Sequence, residues 1–519
     1  MDKQEAFSKI GQHLVVGFPE KTISDNVKRL IHDYRVGNFI LFSRNIGSPE
    51  DVYELTSRLQ EEAKKAGHPY PLLICTDQEN GYVRRLKEGA TAFPGAMALG
   101  ATENPDIAYQ IGKATANELK ALGMNWNLAP VVDVNNNPNN PVINVRSFGE
   151  SPEKVAQMAV AWMTGCQDGG VAATLKHFPG HGDTDIDSHL DLPKVNHPVD
   201  RLHKVELFPF KEGIKNGAEV IMSAHIYFPA IEREPGRPAT LSKAILTDLL
   251  RHQLGFNGVI TTDCLEMKAI ADTIGTATGA LQALQAGADI AMISHTYDVQ
   301  LEAIRLLTDA LQAGELDAES IEKSERRIIE LKERYALTSS HTPYELKNVG
   351  SAEHSDLACE VIRKSITVIK KEDFQTPTNG KILAVYPKQT QHNQAEDQYP
   401  LTLGHVLLNS PANLELYEWN GKEIIESVQS ALKARAEACE GLIIFTLAPD
   451  SSYIEAVKPL LDHKNIAVVA LKSPYDLRHF EGADLMLCTY NDSPAAIKAA
   501  LEVIYGRRNA PGRLPVTLE

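Results

Sequence analysis

Between residue 10 and about residue 335, short apolar runs rich in β-branched residues alternate with stretches whose apolar positions recur at helical spacing. A strand buried on both faces reads as a continuous apolar run, whereas an amphipathic helix repeats every 3.6 residues. Eight such runs occur: LVVGF (14–18), NFILFS (38–43), LLICTD (72–77), MNWNLAPVVDV (124–134), VAATLKHF (171–178), EVIMSAHI (219–226), GVITTD (258–263) and IAMISH, which ends at His295. Eight consecutive βα units predict a (β/α)8 TIM barrel.

The intervening helices carry their own start signals. Asn104 before Pro105 is an N-cap with proline in the first helical position, leading into Ile107, Ile111, Leu119 and Leu122. The final stretch, 318–336, places Ile321, Ile328, Leu331 and Tyr335 on one face. The polar segment LTSSHTP (337–343) then interrupts the pattern. Four further buried-strand runs follow it: KILAVYP (381–387), GLIIFTL (441–447), NIAVVALKSP (465–474) and ADLMLCTY (483–490). The expected organisation is a catalytic barrel domain over 1–336, a linker over 337–352 and a smaller α/β sandwich domain over 353–519, built on a parallel or mixed sheet. No fixed-period repeat interrupts this reading, but the Asn-rich segment 134–149 is long and aperiodic, the mark of a functional loop.

Composition narrows the class. At 519 residues, 43% hydrophobic and 23% charged, the chain has the make-up of an ordinary globular protein of two domains. No apolar run reaches the ~18 residues that suggest a membrane span. The N-terminus lacks a small-residue cleavage site after its short apolar stretch, so a cytoplasmic location is expected. Six cysteines, widely spread and without a CxxC pair, read as buried reduced thiols. The formal charge of -16 repels polyanions and excludes nucleic acid as a partner.

In a TIM barrel, the chemistry sits at the C-terminal ends of the strands. Those ends carry Asp77, Asp133, Lys176 with His177, His225, Asp263 and His295, from six different strands. The densest segment is KHFPGHGDTDIDSH, Lys176 to His189. A phosphate loop is excluded because the position that requires glycine is Asp185 and the loop is acidic. A calcium loop is excluded because Ser188 and Lys194 fall where glycine and a bidentate glutamate are required. A transition metal held by His177, His181 and His189 with an aspartate stays open, although Lys176 opposes a dication there. The remaining reading is proton transfer: Asp187 polarises His189, whose ordinary pKa near ~6.5 suits both donation and acceptance. Asp263, at the end of the seventh run, is then the carboxylate nucleophile of a covalent glycosyl transfer. Lys176, Arg85 and Arg146 are candidate donors to sugar hydroxyls, and Asp77 a bidentate acceptor.

These residues resemble glycoside hydrolase family 3, in its β-N-acetylglucosaminidase branch. The resemblance runs through TDQENGYVRRL (76–86), NPVINVRSFGESPE (140–153), the KHFPGHGDTDIDSH loop, MSAHIYFPAI (222–231) and the segment 238–270. It continues into the second domain at IRKSITVIKK (362–371) and YGRRNAPGRLPVTL (505–518). It implies that Asp263 is the nucleophile, His189 the acid/base and Asp187 its dyad partner, while Asp77, Arg85, Arg146, Lys176 and His177 hold the terminal sugar. It departs where Asn80, Gly81 and Tyr82 replace the usual glycine pair and arginine after Asp-Gln-Glu. The implied activity is that of a retaining, exo-acting enzyme that releases terminal β-linked N-acetylglucosamine from muropeptides or chitooligosaccharides, with a small carbohydrate as partner and no metal or cofactor. Two alternatives remain: a phosphorylase using phosphate as acceptor, and a non-catalytic sugar-binding protein on the same fold.

Overall fold

The computed structural model describes residues 2–185, 192–337, 343–376, 380–388, 396, 403–410, 413–463 and 465–518. Each of the eight apolar runs contains one strand of a closed parallel barrel. In chain order these are β1 Leu14–Val16, β2 Asn38–Ile40, β3 Leu73–Thr76, β4 Trp126–Asn127, β5 Ala172–Phe178, β6 Val220–Ser223, β7 Val259–Cys264 and β8 Ile290–Ile293. Consecutive strands are neighbours, and β8 closes onto β1 through Leu14 opposite Ala291.

The barrel is packed, not hollow. Val15, Ile40, Leu73, Cys75, Trp126, Leu128, Val220, Met222, Val259, Ile290 and Met292 form one buried cluster inside it. Ile328, Leu331 and Tyr335 of the helix Ala318–Tyr335 join that cluster. This helix also reaches the chain just before β1 and β2, where buried Lys332 donates to Gln12 Oε1 at 2.8 Å and to the Gly37 carbonyl at 2.9 Å. The final helix thus seals the N-terminal end of the barrel and leaves the opposite end for chemistry. The Asn104 cap is present, its side chain accepting from the Asp106 N–H at 3.0 Å.

The second domain is a six-stranded mixed sheet. Its strands are β9 Thr367–Lys371, β10 Ile382–Pro387, β11 Leu414–Trp419, β12 Gly441–Thr446, β13 Ile466–Ala470 and β14 Leu485–Cys488, in the order β9-β14-β13-β12-β10-β11. Only β9 runs antiparallel to its neighbour. The sequence pattern exposes four of these strands and misses β9 and β11, the two edges. An edge strand is half solvated, and the β11 sequence LELYEW alternates polar with apolar where a central strand runs apolar throughout. Residues 338–342 of the expected linker lie outside the described residues.

Barrel and second domain share a core. Tyr82, Val145 and the helix Ala96–Thr102 pack into the same buried cluster as Ile382, Phe445 and Leu487. The C-terminal tail returns to the barrel, where Thr517 N–H donates to Glu150 at 2.7 Å. All six cysteines are free; Cys359 and Cys439 are half-buried, not fully buried as expected, and the rest are buried. No described helix is long and apolar enough to cross a membrane.

Candidate active site

A cavity of about 380 Å³ opens at the C-terminal ends of the barrel strands. Its apolar floor is Ile40, Leu128, Met222 and Met292, the top of the barrel core. Its wall takes in Asp77, Arg85, Arg146, Lys176, His177 and Asp263 together. Two positions expected at this mouth are absent from its lining. His225 is buried between Thr240 Oγ1 (2.9 Å) and the Cys264 carbonyl (2.9 Å), where it ties β6 to β7. Asp133 is fully buried behind His177.

One wall is a chain of ion pairs. Lys176 Nζ lies 2.9 Å from Asp77 Oδ1 and 2.6 Å from Glu79 Oε1. Glu79 in turn takes Arg146 at both oxygens, Nε and Nη2 each at 2.8 Å, a bidentate fork. Arg85 Nη2 approaches Asp77 Oδ2 at 3.5 Å. Burial pushes the Glu79 carboxyl up, but Arg146 and Lys176 outweigh it and hold the group well below the usual carboxylate range. Burial likewise draws Lys176 down, and Asp77 and Glu79 overcome it, so this ammonium stays charged. Glu79 therefore anchors Lys176 and Arg146, two of the three cations that the sequence assigns to the sugar. It was missed, although Asp77 and Glu79 two residues apart on extended chain share a face.

The other wall follows β5. Val132 N–H donates to the Lys176 carbonyl at 2.8 Å, and the register shifts between Leu175 and Phe178, so both Lys176 and His177 reach the cavity lining. His177 Nδ1 is 2.7 Å from Asp133 Oδ2, and the backbone N–H groups of His177 and His181 both donate to Asp133 Oδ1, at 3.1 and 2.7 Å. Burial and neighbouring His177 pull the His181 imidazole down to about 4, and it pairs with Thr184 Oγ1 at 2.8 Å as a neutral ring. The two glycines of this motif have steric reasons. A Cβ on Gly182 would sit 1.7 Å from the Val134 carbonyl oxygen, and Gly180, at φ 139°, lies against Glu206.

Asp263, at the end of β7, lines the cavity half-exposed and accepts the Cys264 N–H at 2.7 Å. Phe42, Arg44 and His295 complete the rim. Arg44 is 4.4 Å from the Phe42 ring and donates to the carbonyls of Phe18 and Ser294, while His295 packs on the same ring at 5.1 Å. Glu396 of the second domain also reaches the lining and is ion-paired to buried Lys472. Lys472 lies 5.1 Å from the Tyr82 ring, and the Tyr82 hydroxyl donates to the Leu471 carbonyl at 3.2 Å. At the departure, Asn80 and Gly81 take positive φ values of 71° and 60°, and Tyr82 turns toward the second domain. Asp187 and His189 lie outside the described residues.

Residues 7–331 match the N-terminal domain of glycosyl hydrolase family 3. Beta-hexosaminidase A of Pseudoalteromonas piscicida is 33% identical to this chain, the alignment covering 96% of the chain and 92% of that protein. A beta-hexosaminidase of Xanthomonas oryzae pv. oryzae is 34% identical over 58% of this chain and 86% of its own length. The structure of a glycoside hydrolase family 3 beta-N-acetylglucosaminidase from Paenibacillus sp. str. FPU-7 superposes with a TM-score of 0.91 at 35% identity, over 98% of both chains. With the family match spanning the barrel and the likeness to these relatives running over nearly the whole chain, the chain belongs to glycosyl hydrolase family 3 and is a glycoside hydrolase.

Proposed function

We propose that this hydrolase is a retaining, exo-acting β-N-acetylglucosaminidase that releases the terminal sugar from muropeptides or chitooligosaccharides. The observation that carries the reading is the single cavity in which Asp263 shares a lining with the Asp77–Lys176–Glu79–Arg146 chain. The names of the relatives supply the sugar.

In this mechanism, the Asp263 carboxylate attacks the anomeric carbon while His189, oriented by Asp187, gives its proton to the departing glycosidic oxygen. Water then attacks the glycosyl–Asp263 ester, His189 takes the water proton, and the sugar leaves with its configuration retained. Asp77, Arg85 and Lys176 bind the hydroxyls, and His177 offers its remaining ring nitrogen. Two carboxylates among three cations leave this wall only one charge positive, so it supplies donors without a large opposing potential where positive charge develops on the sugar. A second cavity of about 420 Å³, lined by both domains, shares Val142 and Glu396 with the first and gives the leaving group a path.

The test is intact-mass and peptide analysis after reaction with a slow fluorinated N-acetylglucosaminide, run beside turnover of the aryl sugar with and without phosphate. An adduct on Asp263 and a free-sugar product are expected. An adduct elsewhere sinks the nucleophile, and sugar 1-phosphate as the main product replaces water by phosphate.

A further inference from the structure

Beside the sugar cavity, and outside its lining, Asp183, His197 and Glu206 each bring one ligand atom to within 4.8 Å of the others. Asp183 Oδ2 and His197 Nε2 are 2.5 Å apart. Glu206 is 2% exposed and forms the floor. Its Oε1 accepts from Arg201 Nη1 at 2.9 Å and from Asn136 Nδ2 at 3.2 Å, whereas its Oε2 is buried with no hydrogen-bond partner among the described residues. An orphaned carboxylate oxygen away from water is costly to keep, and a bound ion is one partner that satisfies it.

We propose that Asp183, His197 and Glu206 form a binding site for a divalent transition-metal ion of the zinc class, separate from the sugar site. One imidazole and two carboxylates are a donor set suited to zinc, leaving a coordination position for water. Bonds of ~2.0–2.1 Å set tetrahedral ligands about 3.3 Å apart, so the cluster needs only small side-chain movements to close. Asp183 and His197 side chains are 23% and 35% exposed, which gives the ion a route in. Arg201 also faces the cluster, its Nη2 4.0 Å from Asp183 Oδ2. Its side chain is one-third exposed, and its charge offsets one carboxylate, leaving the other for the ion. The Lys176 ammonium that opposes a metal in the sugar cavity pairs with Asp77 and Glu79 instead. In sequence, Asp183 and His197 flank the segment that holds Asp187 and His189, so an ion here ties both ends of that segment.

The full-length protein, stripped of metal, is titrated with cobalt(II) and then displaced with zinc(II), following the visible bands of four-coordinate cobalt. One equivalent is expected to bind. Affinity is expected to fall by more than about a hundredfold in His197→Ala, since a direct ligand outweighs the 10–100-fold carried by an outer partner. Glu206→Gln is expected to do the same, and His189→Ala to leave binding unchanged. Because Glu206 is buried and its variant is at risk of misfolding, half-exposed His197 decides the matter, with circular dichroism confirming its fold. Absent bands in the native protein, bands that survive His197→Ala, or bands lost in His189→Ala each overturn the site.

Discussion

The Asp133 carboxylate holds His177 at two points, the ring Nδ1 at 2.7 Å and the backbone N–H at 3.1 Å, and extends to the His181 N–H at 2.7 Å. Burial raises the cost of this charge, but His177 and then His181 outweigh it and hold the carboxyl below its ordinary value. The pair fixes Nδ1 as the protonated nitrogen and leaves Nε2 as the ring's acceptor, the atom offered to the sugar in the proposed mechanism. Asp133→Asn is therefore expected to lower kcat/KM on an aryl N-acetylglucosaminide by about 10–100-fold while the fold persists. Asp133→Ala orphans three donors and should cost about 3–5 kcal/mol in urea unfolding.

Glu79 is the joint between Lys176 and Arg146, and its removal leaves two buried cations facing each other. Glu79→Gln should destabilise the native state by about 3–5 kcal/mol at pH 7 and raise KM. The pH dependence follows from the depressed carboxyl: folded Glu79 resists protonation more than the unfolded chain, whose value is near 4.5. Its contribution is complete above that value and is lost as pH falls below it toward the folded value. Urea unfolding at pH 7, 5, 4 and 3 should show the gap between native protein and variant narrowing only below about pH 4.5.

The barrel was legible because its strands are buried on both faces, and a doubly buried strand has no polar positions to obscure it. The edge strands β9 and β11 were not, since half of each faces solvent. At the site, strand ends pointed to Asp77, Lys176, His177 and Asp263 because one backbone position suffices to place them at the mouth. What sequence could not separate was reach from support. Asp133 and His225 end strands in the same way, yet both side chains are consumed by buried hydrogen bonds. Glu396 had no signal, because its approach depends on how the second domain packs on Tyr82 through Leu471 and Lys472.

Lys332 gives a second pH-linked prediction at the sealed end of the barrel. Burial pulls its ammonium down to about 7, and the unfolded chain titrates near 10.5. Between those values the unfolded state binds more protons, so stability rises with pH; below about 7 the penalty of burying the charge is complete and constant. Relative to Lys332→Met, the native protein should gain about 3 kcal/mol of unfolding free energy between pH 7 and 9.5. A flat difference across that range would show that the buried ammonium does not titrate there.

The role assigned to His189 makes a demand on the leaving group. A sugar alkoxide leaves only with a proton, whereas a nitrophenolate is stable enough to leave without one. His189→Ala should therefore slow chitobiose turnover by about 10²–10⁴-fold and nitrophenyl N-acetylglucosaminide turnover far less. Asp263→Asn should abolish both, because every substrate needs the nucleophile. Asp187→Asn should resemble His189→Ala in its leaving-group dependence and should also move the ionisation of His189 to lower pH, since a carboxylate favours the imidazolium. Equal losses on the two substrates in His189→Ala would remove the proton-transfer role. The comparison reads chemistry directly, and it holds whichever sugar or peptide occupies the leaving-group side.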